Sequence, residues 1–343
     1  MPRHKVWAHG RSTYKTKLSP SSPTVSPTIE SQQTIVSLSL NPAIDLTYEV
    51  DKLKHDQKSR SLTTHYDPGG TGINVGRALE ILKANSYTCC VTAGKMGEFL
   101  GSMLKQELKN VYTLKIEGET RINTTILQQT PLRQYEINAA GPELTSKQLD
   151  EIINKFLTLC GRGIGILTGT LPPGIPDTTY MHINTELHKQ GGRCIIDAPV
   201  AILKQALNSN PFLIKPNQHE LEALLGKKLT TIEEIATQAR LINQQGTSYI
   251  CVSLGEKGAI LTGPDNSYFC NAPAIKPHST VGAGDSLVAG LAYAFSQNQK
   301  LERVLKLAVC CGAGTAKQPG TQLFNAAELD SLTKQISINT LDI

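Results

Sequence analysis

Two short glycine-rich stretches stand at the starts of helix-like segments, and they are where this sequence could do chemistry. Gly282-Ala283-Gly284-Asp285-Ser286 runs directly into an apolar-periodic segment containing Leu287, Val288, Leu291, Ala292 and Phe295. Small residues at a helix start leave backbone N–H groups unpaired and accessible, and the helix dipole adds positive potential, so this turn can hold an anion. An aspartate is of no use to the anion itself. Asp285 is therefore a candidate base, removing a proton from a hydroxyl that attacks a transferring phosphoryl group; the alternative is a glycine turn with Asp285 as an ordinary cap. Asp67-Pro68-Gly69-Gly70-Thr71-Gly72-Ile73-Asn74 opens a second helix. Its glycines let a substrate lie against the backbone, and Asn74 offers a donor and an acceptor to hydroxyl groups, although alone it could be a tight turn.

Two further stretches sit where strands end. Lys215-Pro216-Asn217-Gln218-His219-Glu220 follows a strand-like run, at the edge where α/β sheets bind ligands. Asn217 and Glu220 are hard oxygen donors suited to magnesium, directly or through water; they also fit a helix cap with its capping-box partner. Ser253-Leu254-Gly255-Glu256-Lys257-Gly258 is a glycine-bearing turn at the same edge. The glycine-rich stretch 161–169 leads into a strand rather than following one, which fails the dinucleotide-binding context. No GxxxxGK[ST], GxSxG or HExxH occurs.

The elements that must carry these residues follow from periodicity. Strands are expected at 35–40, 88–94, 164–169, 194–198, 212–217, 249–254 and 259–262. Helices are expected at 72–84, 97–109, 146–160, 177–190, 200–209, 219–226, 231–245, 283–297 and 301–317. Such alternation implies βαβ units and a parallel sheet covered on both faces. Segments 44–66 and 118–139 are strand-rich without intervening helices and are expected to pair into a small separate sheet acting as a lid.

With 343 residues, 39% of them apolar and 18% charged, the chain can bury a sizeable core. Its net charge of +5 would suit a polyanionic partner, but Arg3, Lys5, Arg11, Lys15 and Lys17 against Glu30 place +4 of it in residues 1–30. That basic segment, rich in Ser, Thr and Pro, reads as a disordered tail over 1–33, ahead of one domain over 34–343. It weakly resembles an organelle transit peptide, with a disordered extension or a misplaced start codon as alternatives. No run reaches the roughly 18 apolar residues of a membrane span, and aromatic interleaving in the tail is limited to Trp7 and Tyr14, so neither membrane nor nucleic acid is an expected partner. The eight cysteines form no CxxC pair and no Cys/His cluster, and are expected to be reduced core thiols of a cytoplasmic protein.

Taken together, STVGAGDS (279–286) resembles the second signature of the PfkB, or ribokinase-like, carbohydrate kinases, and PGGTGINVGRAL (68–79) resembles their first. KPNQHE (215–220), SLGEKG (253–258) and LTGTLPPGIP (167–176) are similar to further family elements, in order, over about 34–335. The resemblance implies an α/β fold of ribokinase type, with a mostly parallel sheet flanked by helices and a small β-sheet lid. LNPAIDL (40–46), the GGTGIN loop and ETRINTT (119–125) resemble the branch acting on phosphorylated sugars: 6-phosphofructokinases of PfkB type, 1-phosphofructokinases and tagatose-6-phosphate kinases. HSTVGAGDS and Gly320-Thr321-Gln322-Leu323 resemble the first of these most.

Carried onto this chain, the resemblance implies Asp285 as the base, acting on the C1 hydroxyl of fructose 6-phosphate, with the N–H groups of Ala283 to Asp285, Gly284 included, steadying the γ-phosphoryl and Gly282 a further site residue of the same turn. Asp45, Lys58, Gly70, Thr71, Gly72, Ile73, Asn74 and Arg121 would hold the sugar phosphate, for which Arg60 and Arg77 are further cation candidates. Lys215, Asn217 and Ser253, Leu254, Gly255, Glu256, Lys257 and Gly258 would line the ATP site, with Glu220 acting on Mg2+. Ser279, Val281, Thr315, Gln318 and Gly320 match a potassium site formed by backbone oxygens, and a homodimer through the lid is implied. The chain departs from relatives at Thr71, Gly76, where alanine is usual, and Gln322. A catalytically inactive sugar- or nucleotide-sensing module is the rival from another class.

Overall fold

The structure, a computed structural model, describes residues 33–343; the expected tail over 1–33 lies outside them except for Gln33. The chain runs through β1 (Ile35–Ser39), β2 (Ala43–Val50), β3 (Thr63–Gly69), α1 (Thr71–Ile81), β4 (Ser86–Ala93), α2 (Gly94–Glu107), β5 (Val111–Ile116), β6 (Arg121–Gln128) and β7 (Arg133–Ile137). It continues with α3 (Ser146–Cys160), β8 (Ile164–Thr168), α4 (Thr179–Lys189), β9 (Arg193–Asp197), α5 (Val200–Ala206), β10 (Leu213–Ile214), α6 (Gln218–Leu225), α7 (Ile232–Gln244) and β11 (Tyr249–Ser253). Then follow β12 (Ala259–Thr262), β13 (Ser267–Cys270), α8 (Ala283–Ser296), α9 (Leu301–Ala316), α10 (Leu329–Thr333) and β14 (Ile338–Leu341).

Ten strands form the main sheet in the order β14-β13-β12-β11-β10-β9-β8-β1-β4-β5. The seven from β5 to β11 are parallel, because each helix returns the chain to the same edge. The sheet is thus mostly parallel, as expected, and at its other side β12, β13 and β14 are antiparallel. The connections from β11 to β12 and from β12 to β13 are too short to carry a crossover. β5, β13, β14 and α10 escaped the periodicity reading: three are short or edge strands, and α10 is a helix of only five residues.

β1 and β8 are buried throughout, as parallel strands covered on both faces must be. Their side chains alternate between two apolar layers. Val36 and Leu38 join Phe156, Tyr180 and Leu203 on one face, while Ile35 joins Val75, Leu79, Leu291 and Val304 on the other. All eight cysteines are buried and free, as expected. Among the described residues, no helix is long and apolar enough to cross a membrane.

Gly76 has a local explanation. On α1 it packs against β4, where an added Cβ would lie 2.0 Å from Thr88 Oγ1, itself hydrogen-bonded to Ser37 Oγ at 3.1 Å. The alanine usual in relatives would collide with this threonine, so the small residue on the helix and the hydroxyl on the strand belong together.

A second sheet, β3-β2-β6-β7, forms the lid expected from segments 44–66 and 118–139. β2 pairs in parallel with β6, and β3 and β7 flank them antiparallel. In register, Asp45 stands opposite Asn123, and Thr125 opposite Glu136, so these four share one face of the lid. Tyr66, Tyr135 and Ile137 project from the other face and are exposed.

Candidate active site

Strand order decides where the site lies. β1 is followed in space by β4 on one side and by β8 on the other, so the chain's direction of travel across the sheet reverses at β1, and a crevice opens beyond the carboxyl ends of the strands there. The crevice is a cavity of about 490 Å3. Its floor comes from residues just past the strands: Ser39 and Asn41, Thr168 to Thr170, Asp197 and Lys215. The lid contributes Asp45, Arg121, Asn123, Thr125 and Glu136, and the two glycine turns contribute Gly70, Thr71, Asn74, Val281, Gly282 and Asp285.

Gly282 is the N-cap of α8 and takes φ 76°, a left-handed conformation that glycine adopts without penalty. Among the described residues no side chain caps this helix, and Asp285, in its first turn, is not its cap. The N–H of Ala283 donates to Thr280 O at 3.3 Å, which narrows the expected Ala283–Asp285 donor set to Gly284 and Asp285. Asp285 is 7% exposed and accepts a hydrogen bond from Asn74 Nδ2 at 2.9 Å. Burial pushes its carboxyl up, Asn74 and Lys215 pull it down, and Asp197 and Asp45 add repulsion, leaving it at about 7. A carboxylate poised there is suited to taking up a proton near neutral pH.

Lys215 reaches the same place from the end of β10. Its Nζ lies 3.1 Å from Asp197 Oδ1 and 3.9 Å from where a Cβ on Gly284 would be, beside the start of α8. Burial alone would lower the lysine's pKa, but the carboxylates of Asp197 and Glu220 outweigh it and raise the value, so the ammonium stays charged. For Asp197, burial acts upward and Lys215 opposes it.

Arg121, at the start of β6, donates from Nη2 to Asn41 O at 2.8 Å and from Nη1 to Ala139 O at 3.2 Å. These bonds aim a lid cation at the cavity. Among the described residues, four buried side-chain atoms lack a hydrogen-bond partner, Asn41 Oδ1, Asn123 Oδ1, Thr168 Oγ1 and Thr321 Oγ1, and all belong to residues lining this cavity. Buried polar atoms are normally paired, so this wall is built for a ligand rich in hydroxyl or phosphate groups. Asn123 is the clearest: its Nδ2 donates to Asp45 Oδ1 at 2.9 Å, which leaves its carbonyl oxygen as an open acceptor.

Other expected site residues need correction. Lys58 and Arg60 lie in the exposed segment 51–62 and do not line the cavity, because the chain between β2 and β3 loops away from it. Gly72 and Ile73 are buried in α1 and face the core: a Cβ on Gly72 would meet Leu38 O at 2.7 Å. Asn217 spends its side chain capping α6, accepting from Glu220 N at 2.8 Å, while Glu220 Oε2 accepts from Asn217 N at 2.8 Å. The capping box is real, yet Glu220 also lines the cavity. Ser253 to Gly258 lie outside the cavity lining; Gly255 to Lys257 form an exposed turn beside Asn217, which bridges to Ser253.

Among the expected potassium residues, Ser279, Val281 and Gly320 line one small crevice between the lid and the loop before α8. Thr315 is fully buried, its hydroxyl 2.7 Å from Ser286 Oγ and its carbonyl accepting from Gln318 N at 2.9 Å.

Sequence reasoning did not single out Asn41, Asn123, Thr168, Asp197 or Thr321. All but Asp197 lay inside stretches already noted, and Asp197 had a signal of its own: an acid ending the apolar run CIIDA.

A matching family model, that of the pfkB family of carbohydrate kinases, spans residues 33–328. This chain belongs to that family. It is 32% identical to a 1-phosphofructokinase of Bacillus subtilis (strain 168) over 292 residues, covering 84% of this chain and 95% of that protein. To the ATP-dependent 6-phosphofructokinase isozyme 2 of Escherichia coli (strain K12) it is 31% identical over 305 residues, covering 88% and 99%. The crystal structure of E. coli phosphofructokinase-2 in complex with potassium superposes with a TM-score of 0.83 at 30% identity, covering 88% of this chain and 98% of that one. The fold is thus ribokinase-like, and the chain is a carbohydrate kinase that uses ATP.

The cavity has a charge balance that a bound divalent cation would suit. It holds five carboxylates, Asp45, Glu136, Asp197, Glu220 and Asp285, against two cations, Arg121 and Lys215. A polyanionic nucleotide would be repelled there without an added divalent ion. No cluster of three metal-ligating side chains occurs among the described residues.

Proposed function

We propose that this protein transfers the γ-phosphoryl group of ATP to the C1 hydroxyl of fructose 6-phosphate, giving fructose 1,6-bisphosphate. The observation that carries this reading is a single one: the buried carboxylate of Asp285, at about 7, shares a cavity with an unpaired helix N-terminus and with the lid cation Arg121. Asp285 takes the hydroxyl proton as the oxygen forms its bond to the γ-phosphorus, and the bond to the β–γ bridging oxygen breaks as ADP leaves. The N–H groups of Gly284 and Asp285, with Lys215, steady the charge on the transferring group. Arg121 holds the sugar's own phosphate, while Asn74, Asp45 and Asn123 receive and orient its hydroxyls. The lid keeps out water, which would otherwise accept the phosphoryl group.

Bound Mg2+ would neutralise the β- and γ-phosphates, and Glu220, whose Oε1 has no partner among the described residues, would hold it directly or through water. Potassium beside the loop 279–282 is supported by the E. coli relative's complex with that ion. Ser253 to Gly258 would flank the nucleotide's base. Eight buried free thiols support a cytoplasmic setting.

The choice of fructose 6-phosphate rests on the stretches HSTVGAGDS and GTQL. A second reading, transfer to C6 of fructose 1-phosphate, is favoured by the identity to the B. subtilis 1-phosphofructokinase. The test compares kcat/KM for fructose 6-phosphate, fructose 1-phosphate and tagatose 6-phosphate with Mg2+ and ATP, in potassium and in sodium buffers. Fructose 6-phosphate is expected to lead, with higher rates in potassium. A larger kcat/KM for either other sugar would reassign the substrate, and equal rates in both salts would remove the potassium site.

The outer lid face supports a homodimer in which two lids cover each other. Tyr66, Tyr135 and Ile137 are exposed there, with Leu132 85% exposed at the neighbouring turn, and among the described residues α2 covers one end through Phe99. Sedimentation equilibrium at micromolar concentration is expected to give twice the chain mass, and Ile137→Asp to halve it. A monomeric parent protein would rule this assembly out.

A further inference from the structure

As a cation near the lid, Arg77 invites assignment to the substrate's phosphate. The structure places its guanidinium elsewhere. Arg77 does not line the cavity, and its side chain is only 10% exposed. Its Nε is paired with Glu107 Oε2, at the end of α2, at 2.5 Å. Its Nη1 lies 3.4 Å from each of three acceptors: Asn74 Oδ1, Pro68 O in β3, and Thr321 O after α9. Asn74 stands one helical turn before Arg77 and passes the contact on, since its Nδ2 donates to Asp285 Oδ2 at 2.9 Å.

Arg77 cannot change its part, and Asp285 keeps its own for as long as it is ionised. A guanidinium only donates, and an ionised carboxylate only accepts. The amide is therefore oriented from both ends, along the series Glu107, Arg77, Asn74, Asp285. We infer that Arg77 is a positioning residue for the base: anchored by Glu107, it holds the Asn74 amide with its NH2 toward Asp285. This inference rests on the reading of Asp285 as the base.

Without Arg77 the amide is free to turn over. Reversed, it would present its carbonyl oxygen to Asp285, a contact that only the protonated carboxyl can satisfy. Removing Arg77 thus favours the protonated, inactive form. The other charged groups facing Asp285 are Asp197 at the end of β9, Lys215 after β10 and Asp45 in β2, and none of them is hydrogen-bonded to Arg77. Arg77 reaches Asp45 only as the weakest of the influences on that carboxyl.

The experiment is the pH dependence of kcat/KM from pH 5.5 to 9.5, with Mg2+, ATP and whichever of the three sugar phosphates turns over fastest. Arg77→Met removes the donors and keeps the stem; Arg77→Lys keeps a charge that can reach Glu107 or Asn74 but not both. In Arg77→Met the acidic limb is expected to move up by about one pH unit, so that kcat/KM at pH 7 falls several-fold while the plateau at pH 9 stays within about twofold. Arg77→Lys should fall between, and it alone decides if Arg77→Met does not fold. A limb that stays at the wild-type pH in every folded variant, whatever happens to the plateau or to Tm, would overturn the inference. Failure of the underlying reading looks different: the wild-type protein itself would show no acidic limb, or Asp285→Asn would remain active.

Discussion

Asp285→Asn is expected to fold, to bind ATP as the parent protein does, and to turn over about 10^2- to 10^4-fold more slowly, the span general-base catalysis contributes. The substitution keeps the shape of the side chain, and an amide oxygen can still accept from Asn74, so the loss isolates proton transfer. In the parent protein kcat/KM should fall with unit slope below a pH near 7, where Asp285 takes up its proton in the free enzyme. Stability should move the opposite way. The carboxyl sits at about 7 in the fold against an ordinary 3.8, so the folded state holds the proton more tightly than the unfolded chain does. Its ionisation therefore opposes folding: the penalty is absent below about pH 4, grows between pH 4 and 7, and above pH 7 is on the order of 4 kcal/mol. Asp285→Asn should accordingly raise Tm at pH 8 and leave it nearly unchanged at pH 4. Near-normal turnover in this variant would remove Asp285 from the role of base. An unchanged Tm at pH 8 would instead show that the carboxyl is not under the strain its burial implies.

Lys215→Met carries the second large effect, and it acts on both activity and stability. Lys215 and Asp197 form a buried pair, their side chains 6% and 14% exposed. Removing one partner leaves Asp197 as an uncompensated charge, which costs about 3–5 kcal/mol. Turnover should fall by about 10^2- to 10^3-fold, because the cation beside the start of α8 no longer meets the transferring phosphoryl group. The sign of the pH dependence follows from Asp197. Burial already holds its carboxyl above the usual range, and loss of the ammonium takes it higher, so it can escape its penalty by taking up a proton. The destabilisation should be largest at pH 8 and shrink toward pH 5. Adding Asp197→Asn should restore most of the lost stability and none of the lost turnover. Calorimetry of the single and double variants at the two pH values, with initial rates, separates the two effects. Equal destabilisation at pH 5 and pH 8 would show that the pair is not electrostatic in origin.

What was legible in the sequence was local. The turns at Gly70 and Gly282 announce themselves because a glycine with positive φ followed by small residues is how a helix starts with bare N–H groups, and this needs no distant partner. The βαβ alternation is equally local, since a buried parallel strand is an unbroken apolar run. α3 over Ser146–Cys160 matches its expected bounds for the same reason, with a capping box at Thr145 and Gln148 and a glycine just beyond its end. The antiparallel strands β13 and β14 carried no such mark, being only four residues each, with β14 at the sheet edge.

Partnerships were not legible. Lys58 and Arg121 looked like equal candidates for a phosphate, and only the lid's fold sends one outward and aims the other into the cavity. Arg77 looked like a third, until Glu107, thirty residues later, is seen to hold it. Asp197 became a site residue because β9 ends beside β10, which brings Lys215 to it.

The sequence by itself determined that this is an α/β chain with two glycine-rich helix starts, one of them able to hold an anion and carrying an acid, and so the class of chemistry. Tertiary structure decided which groups act together. Asn74 and Asp285 are 211 residues apart and meet at 2.9 Å because the order of strands reverses at β1, placing the starts of α1 and α8 over the same crevice. The physical reason is that helix starts and buried strands are encoded by neighbouring residues, whereas the charge a buried carboxylate carries depends on whatever the fold places around it.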